Sequence, residues 1–260
     1  MILLLLVQLS ILLLSTISIP IEQAETILQN NDENKLIAKQ SQYIEPSTNI
    51  QYIYMSDYEN YRLYKLIPRS GSTTTQTAIA NKWLDQYLKL SFETPDRSYP
   101  YVVQYCGSNI LAFFLRNTTV SIQNINALLM SRLEAYDNSQ YVCYLSVLKE
   151  HRQHGLGTKL LNAFINDAIR TNNARVSLHV NTENKSALSL YLKCGMRCTD
   201  YISGYYFGDR TYPTQNAFTM TLQLKNVRNS TAVCQSTTAV NIPQQEDALY
   251  KQRCPQASTG

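Results

Sequence analysis

One change of hydrophobic period, between Tyr141 and Ile169, constrains this chain more than any other feature. "YVCYLSVL" (141–148) is an almost continuous apolar run, as a strand buried on both faces would have. Lys149 to His154 break that pattern, and Gly155-Leu156-Gly157 follow. From Thr158 onward Leu160, Leu161, Phe164, Ile165, Ala168 and Ile169 recur at helical spacing, which predicts an amphipathic helix. A buried strand that passes into a helix through a loop without side-chain bulk belongs to a mixed α/β domain.

The rest of the chain is read around that unit. "IQYIYM" from Ile50 predicts a strand. "TAIANKWLDQYLKL" predicts a helix with Trp83, Tyr87 and Leu88 on a common side. "YVVQY" and "NILAFFL", flanking Cys106-Gly107-Ser108, predict a hairpin turning at Gly107. Residues 121–140 carry no clear period. "RVSLHVN" alternates, with Val176, Leu178 and Val180 on one face and Ser177 and His179 on the other. "ENKSALSLYLKCG" predicts a second helix with Gly195 just past its end, and "FTMTLQL" (218–224) a last strand. The expected organisation is one domain over 49–225, a polar linker at 19–48 and a polar tail at 226–260.

Residues 1–18, "MILLLLVQLSILLLSTIS", are nearly all apolar. They are expected to be either a secretory signal, with Thr16 and Ser18 small enough for a peptidase site, or an uncleaved membrane anchor. The flank holds Glu22 and Glu25 and no basic residue before Lys35, so charge gives no reason to keep the domain in the cytosol. Sidedness stays open, a cytosolic-facing domain included.

The net charge of +4, from 23 basic and 19 acidic residues without a basic run, argues against a nucleic-acid partner. Six cysteines (106, 143, 194, 198, 234 and 254) permit disulfides without choosing a pairing. Cys143 and Cys194 fall in apolar runs and read as free buried thiols. No metal site is expected, because His151, His154 and His179 have no Cys/His cluster around them. Asn117, Asn184 and Asn229 each begin a glycosylation sequon.

The glycine loop opens a helix, so its unpaired N–H groups and the macrodipole favour an anion, and glycines let the backbone approach it. Arg152 adds charge. A Walker loop fails, because Gly157-Thr158-Lys159 has the wrong order. A dinucleotide fingerprint fails, because Leu160 stands where a third glycine belongs. Taken alone, the pair is better explained by a turn.

The wider pattern resembles a known family. Arg152-x-x-Gly155-x-Gly157 opens a helix after a buried strand, and a strand and a helix with "NKSALSLYLKCGM" follow. This is similar to the GCN5-related N-acetyltransferases (GNAT), in detail over about 141–224. Tyr141 at the strand start, Leu178-His179-Val180 on the next strand, and paired Tyr205-Tyr206 resemble the N-alpha-acetyltransferases of the NatE and NatF kind. The resemblance implies an α/β (α+β) GNAT fold: a mixed, mostly antiparallel sheet splayed at its central strands with flanking helices. It implies acetyl-coenzyme A as donor and a primary amine as acceptor, in first place the α-amine of a protein or peptide N-terminus. A lysine or small amine is the alternative, and so is an exported binding protein that keeps the fold without turnover.

It further implies site residues. Tyr141 and His179 would be catalytic, His179 as base because neutral imidazole is available at neutral pH. Leu145, Val147, Arg152, Gln153, His154, Gly155, Leu156, Gly157, Thr158, Asn184 and Tyr191 would hold the coenzyme. Cys143, Tyr205 and Tyr206 would meet the acceptor. Ser146 departs from the usual glycine of these enzymes. Their aromatic-proline loop has only "SFETPD" (91–96) as a counterpart.

Overall fold

The structure is a computed structural model that describes residues 42–94, 97–99, 102–107, 109–208, 211–226 and 234. The chain divides into two compact units, 1–43 and 44–260, and nearly all of the described residues belong to the second. The leader at 1–18, the 19–41 part of the 19–48 linker, nearly all of the tail and the Asn229 sequon lie outside the described residues.

The described strands form one sheet in the order β1-β2-β3-β4-β5-β6-β7-β9-β8. They are β1 (Gln42–Glu45), β2 (Ile50–Tyr58), β3 (Tyr61–Pro68), β4 (Asn109–Leu115), β5 (Ala127–Glu134), β6 (Ser139–Val147), β7 (Arg175–Asn181), β8 (Arg197–Ile202) and β9 (Ala217–Gln223). The helices are α1 (Thr74–Ser91), α2 (Val102–Cys106), α3 (Leu156–Arg170) and α4 (Lys185–Lys193). Each begins from a local signal where the sequence provides one. Thr73 and Gln76 form a capping box before α1, and the Asn184 side chain accepts from the Ala187 N–H at the start of α4.

Four strands, β1, β3, β5 and β8, escape the sequence reading, β1 lying within what read as a polar linker, and one expected strand is a helix. "YVVQY" contributes to α2 instead of a hairpin, so Gly107 is not a hairpin turn. Val102 and Cys106, spaced i and i+4, are the buried residues of that short helix. The Val103 N–H donates to Asn81 Oδ1 on α1 at 3.0 Å, which ties α2 to α1. An isolated five-residue helix would not persist in water, so these attachments carry it.

The main core lies between α3 and one sheet face. Leu160, Leu161, Phe164 and Ile165 of α3 meet Leu129, Val142, Val176, Leu178 and Val180 there. At the far end of α3 buried Asp167 receives Lys65 Nζ at 2.7 Å, Asn109 Nδ2 at 3.1 Å and Arg170 Nη2. Burial alone would raise its pKa, but the hydrogen bonds and charges of Lys65 and Arg170 outweigh that and lower it.

The cysteines correct another expectation. Cys143 and Cys194 are not free thiols: Cys106 pairs with Cys143, and Cys194 with Cys234. Cys198 is also disulfide-bonded, and no cysteine among the described residues is free. Pairings across 37 and 40 residues depend on the fold and have no local signal.

Candidate active site

The site is built by a fault in the sheet. β6 and β7 are parallel, joined through α3, and pair only from Ser139↔Arg175 to Tyr141↔Ser177. Beyond Tyr141 the two strands separate. The cause stands one residue further on. β6 is opposite β5 with Tyr141↔Arg132, Val142↔Ser131 and Tyr144↔Met130, so Cys143 is the extra residue of a β-bulge. A bulge bends its strand and breaks the alternation of side chains. β6 therefore turns away from β7, and its edge facing β7 has no strand partner from Val142 to Val147.

The same bulge sorts the side chains. Residues opposite one another in a ladder share a face. Tyr141 and Tyr144 therefore lie together, while Val142, Leu145 and Val147 point to the α3 side. Strict alternation would have put Tyr144 opposite Tyr141. The strand is not buried on both faces as expected: Tyr141, Cys143, Tyr144, Leu145 and Val147 are half-buried, because the gap opens beside them.

On the α1 side of the gap the predicted pair meets. Tyr141 Oη lies 2.8 Å from His179 Nδ1 and 3.1 Å from Tyr205 Oη. The His179 and Tyr205 rings stack at 4.4 Å, and Tyr206 packs edge-on to Tyr205 at 4.9 Å. The Tyr206 hydroxyl donates to the His179 carbonyl at 3.2 Å, which fixes the loop over β7. Burial lowers the His179 pKa, Arg132 lowers it further, and Asp200 partly opposes both. The imidazole is therefore neutral at neutral pH. Burial, and then the hydrogen bond and field of Tyr205, raise the Tyr141 pKa far above its usual value. Tyr141 thus keeps its proton and acts as a hydrogen-bonding group; it is not a base. The Arg132 guanidinium, 4.6 Å from the Tyr141 ring centroid, covers its other face.

Two aromatic residues of this wall, Tyr99 and Tyr144, escape the sequence reading. Tyr144 meets Tyr99 edge-on at 5.8 Å and Phe92 at 6.5 Å, and Phe92 and Tyr99 are 6.2 Å apart. Phe92 belongs to "SFETPD", so that segment meets the tyrosine wall of the gap through its aromatic residue. The signal available was the density of tyrosine. What hid Tyr144 was the bulge.

On the other side lies the glycine loop, where the two glycines have different reasons. Gly155 caps α3 with φ +72°, and a methyl group there would lie 3.0 Å from Tyr58 Oη. It is glycine for its left-handed backbone and for the Tyr58 contact. A methyl group at Gly157 would instead lie 3.4 Å from Leu190 of α4 and 3.8 and 3.9 Å from Leu145 and Val147 of β6. Gly157 therefore sits in the wedge between α4 and the splayed strand. The first intrahelical bond of α3 runs from the Lys159 N–H to Gly155 O at 3.0 Å. The N–H groups of Leu156, Gly157 and Thr158 consequently have no partner within the helix. These donors, the macrodipole and the bare wedge fit a pyrophosphate followed by an extended thiol arm.

The other expected coenzyme residues divide. Gln153 is exposed in the loop with φ +65°. His154 is exposed, and its Nδ1–H donates to Arg152 O at 2.8 Å. Arg152 is used as a brace: it donates to Val147 O at 3.1 Å and Ser91 O at 2.6 Å, and pairs with Glu93 at 3.3 Å. It ties the loop to the end of α1, so its expected role as a phosphate charge is not the geometry seen. Asn184 is a helix cap and Tyr191 a buried core aromatic, the structural alternatives to coenzyme contact. Cys143 is at the gap but bears a disulfide, so it offers the acceptor no thiol. Among the described residues no cluster of His, Cys, Asp and Glu could hold a metal.

Known proteins resemble this chain in sequence and in fold. Residues 83–196 match the sequence model of the acetyltransferase (GNAT) family. An N-alpha-acetyltransferase of Saccharolobus solfataricus is 28% identical over 136 residues, which cover 47% of this chain and 80% of that protein. Among solved structures, Arabidopsis thaliana Naa50 in complex with a bisubstrate analogue has a TM-score of 0.47 at 21% identity, covering 62% of this chain and 98% of that one. The ribosomal-protein-S18-alanine N-acetyltransferase of Escherichia coli has a TM-score of 0.46 at 16% identity, covering 58% and 90%. The match places an acetyltransferase (GNAT) domain at residues 83–196, and with the N-alpha-acetyltransferase relative it supports an acetyl-coenzyme A-dependent N-acetyltransferase.

Proposed function

We propose that the acceptor is the N-terminal α-amine of a protein or peptide. The observation that carries this reading is the neutral, half-buried His179 held by Tyr141 and Tyr205 at the mouth of the gap. A base whose pKa is depressed below about 6.5 is a weak one. An α-amine, with a pKa of about 7.7–8.0, is already roughly a quarter neutral at pH 7.4, whereas a lysine amine near 10.4 is about a thousandth neutral. The weak base therefore favours the α-amine. The relationship to an N-alpha-acetyltransferase supports the same choice.

In this reading the N–H groups at Leu156, Gly157 and Thr158 hold the pyrophosphate, and the thiol arm follows the wedge past Leu145 and Val147. Peptide N–H groups on the free edge of β6 orient the thioester carbonyl. The acceptor enters along Tyr144, Tyr205 and Tyr206. His179 Nδ1–H donates to Tyr141 Oη, whose own O–H donates to Tyr205 Oη, leaving Nε2 as the lone pair that takes the amine proton, directly or through a water. The neutral amine attacks the thioester carbonyl, the carbon–sulfur bond breaks, and the coenzyme leaves as its thiol once protonated.

The same reading assigns the chain to the secretory pathway or to a membrane through residues 1–18. Paired cysteines support an oxidising compartment. Of the sequons, Asn117 is exposed on a turn after β4, whereas the Asn184 amide is engaged as a helix cap. A thioester-release assay with a panel of short peptides, a lysine peptide blocked at its N-terminus and a polyamine tests the acceptor. Preference for the blocked lysine peptide or the polyamine overturns the assignment.

A further inference from the structure

The Cys106–Cys143 disulfide joins the two halves of the acceptor wall. One half belongs to β6, where Tyr141 and Tyr144 stand on either side of the bulge residue Cys143. The other belongs to α1 and the segment after it, with Phe92 at the helix end, Tyr99, and α2 ending in Cys106. This second half is fastened to α1 by two side-chain hydrogen bonds. The Tyr99 N–H donates to Asp85 Oδ1 at 2.6 Å, and the Val103 N–H to Asn81 Oδ1 at 3.0 Å. Across to β6 it has the ring contacts of Phe92 and Tyr99 with Tyr144, the hydrogen bond from Tyr87 of α1 to Ser146 O at 3.0 Å, and one covalent bond, the only one of these that holds the bulge residue itself among the described residues.

The bond attaches at a sensitive place. A bulge residue has no ladder partner of its own, so neighbouring pairs hold its conformation less firmly than that of a regular strand residue. Here the bulge sets the facing of Tyr141, which holds His179, and of Tyr144, which meets Tyr99. Fixing the Cys143 side chain to α2 therefore fixes the aim of both tyrosines. The donor side is independent of this bond. Gly157, Leu145, Val147 and Leu190 lie in the wedge on the α3 side, and no residue of α2 is among the nearest atoms at either loop glycine.

We infer that the Cys106–Cys143 disulfide is a positioning element for the acceptor amine, so that the enzyme transfers acetyl efficiently only in its oxidised form. A dithiol reductant would convert the bridge to two thiols with two electrons and two protons, itself closing to a disulfide. The α2 segment would then stay on α1 while the bulge lost its tether. Acetyl-coenzyme A would still bind.

The inference rests on the acceptor being a peptide, and the experiment separates the two ideas. Oxidised full-length protein is first assayed with the preferred peptide; absence of transfer there defeats the functional reading itself. A Cys106→Ala/Cys143→Ala double variant is then compared with it. At least a tenfold rise in KM for the peptide is expected, with KM for acetyl-coenzyme A and its thermal stabilisation within twofold. Unchanged KM for the peptide overturns the inference. For a double variant that does not fold, a dithiol titration of the parent decides, with alkylation and peptide mapping to follow each bridge. Loss of peptide transfer in step with opening of Cys106–Cys143, while acetyl-coenzyme A binding persists, supports it. Transfer that survives the opened bridge, or transfer and donor binding lost together, overturns it.

Discussion

The two glycines of the loop make a paired prediction, because the structure gives them opposite reasons. At Gly157 a methyl group would meet Leu190, Leu145 and Val147 at 3.4–3.9 Å, which is ordinary van der Waals contact. Gly157→Ala is therefore tolerated by the free protein, and better helix propensity adds up to about 1 kcal/mol. That is a gain of about 2–4 °C in Tm for a domain of this size. The same methyl group narrows the wedge beside the free helical N–H groups. Loss of one hydrogen bond to a charged group is worth about 1.5–3 kcal/mol, hence a rise of roughly 10- to 150-fold in Kd for acetyl-coenzyme A. At Gly155 the φ of +72° costs an alanine about 1–2 kcal/mol, before the 3.0 Å approach to Tyr58 Oη is counted. Gly155→Ala should therefore lower Tm by about 4 °C or more. Thermal melts without donor, and calorimetric titration with acetyl-coenzyme A, measure both quantities. Tight donor binding by Gly157→Ala would refute the placing of the coenzyme in that wedge, and an unchanged Tm for Gly155→Ala would refute the strain argument.

The catalytic pair, the buried ion pair and the second bridge are testable in the same way. His179→Ala should lower the turnover number about 10²- to 10⁴-fold with donor binding retained. In the parent, burial depresses the His179 pKa, so the acidic limb of the rate profile falls below pH 6.5, and the variant should lack that limb. Tyr141→Phe should also lower turnover, and combined with His179→Ala should cost less than the product of the two losses. Asp167→Ala leaves Lys65 without its partner and should cost about 3 kcal/mol in urea unfolding, with both KM values unchanged. Because the folded pKa of Asp167 is lowered, its contribution in the parent is full above the unfolded value near 3.9 and is lost as pH falls through the folded one. Cys194→Ala/Cys234→Ala opens a bridge across 40 residues and should cost about 4 kcal/mol on the chain-entropy account.

The sequence was most legible where one period ran undisturbed. The α3 stripe, the alternation of "RVSLHVN" and the glycines between strand and helix all have the predicted positions, and His179 does face away from Val176 and Val180. The reading failed where a non-local contact overrode the period. α2 exists because Asn81 and Cys143 hold it, and "YVVQY" alone carries no trace of either partner. Arg152 lies in the expected motif, but Ser91 and Val147 carbonyls, far apart in sequence, recruit its guanidinium. Tyr144 was missed because a single inserted residue reverses every facing beyond it, and a bulge at Cys143 looks like one more apolar position in the run. The cysteine that read as core filler is the bulge residue of β6 and one half of a disulfide.

Why a fault in a sheet should make a transferase site is explained by its two faces. α3 covers the face of Val142, Leu145 and Val147, and its open N-terminus lies there beside Gly157. α1 and its neighbours cover the face of Tyr141, Tyr144 and Ser146, where Tyr87 donates to Ser146 O at 3.0 Å. A continuous ladder would separate an anion-binding helix end on one face from an imidazole on the other by a layer of peptide. Parallel pairing that stops at Tyr141↔Ser177 removes that layer over the length of a few residues. In the proposed reading a donor held from the α3 side and an amine presented from the α1 side then meet within the gap. The extra residue at 143 thus opens the sheet and sets the facing of Tyr141 and Tyr144 together.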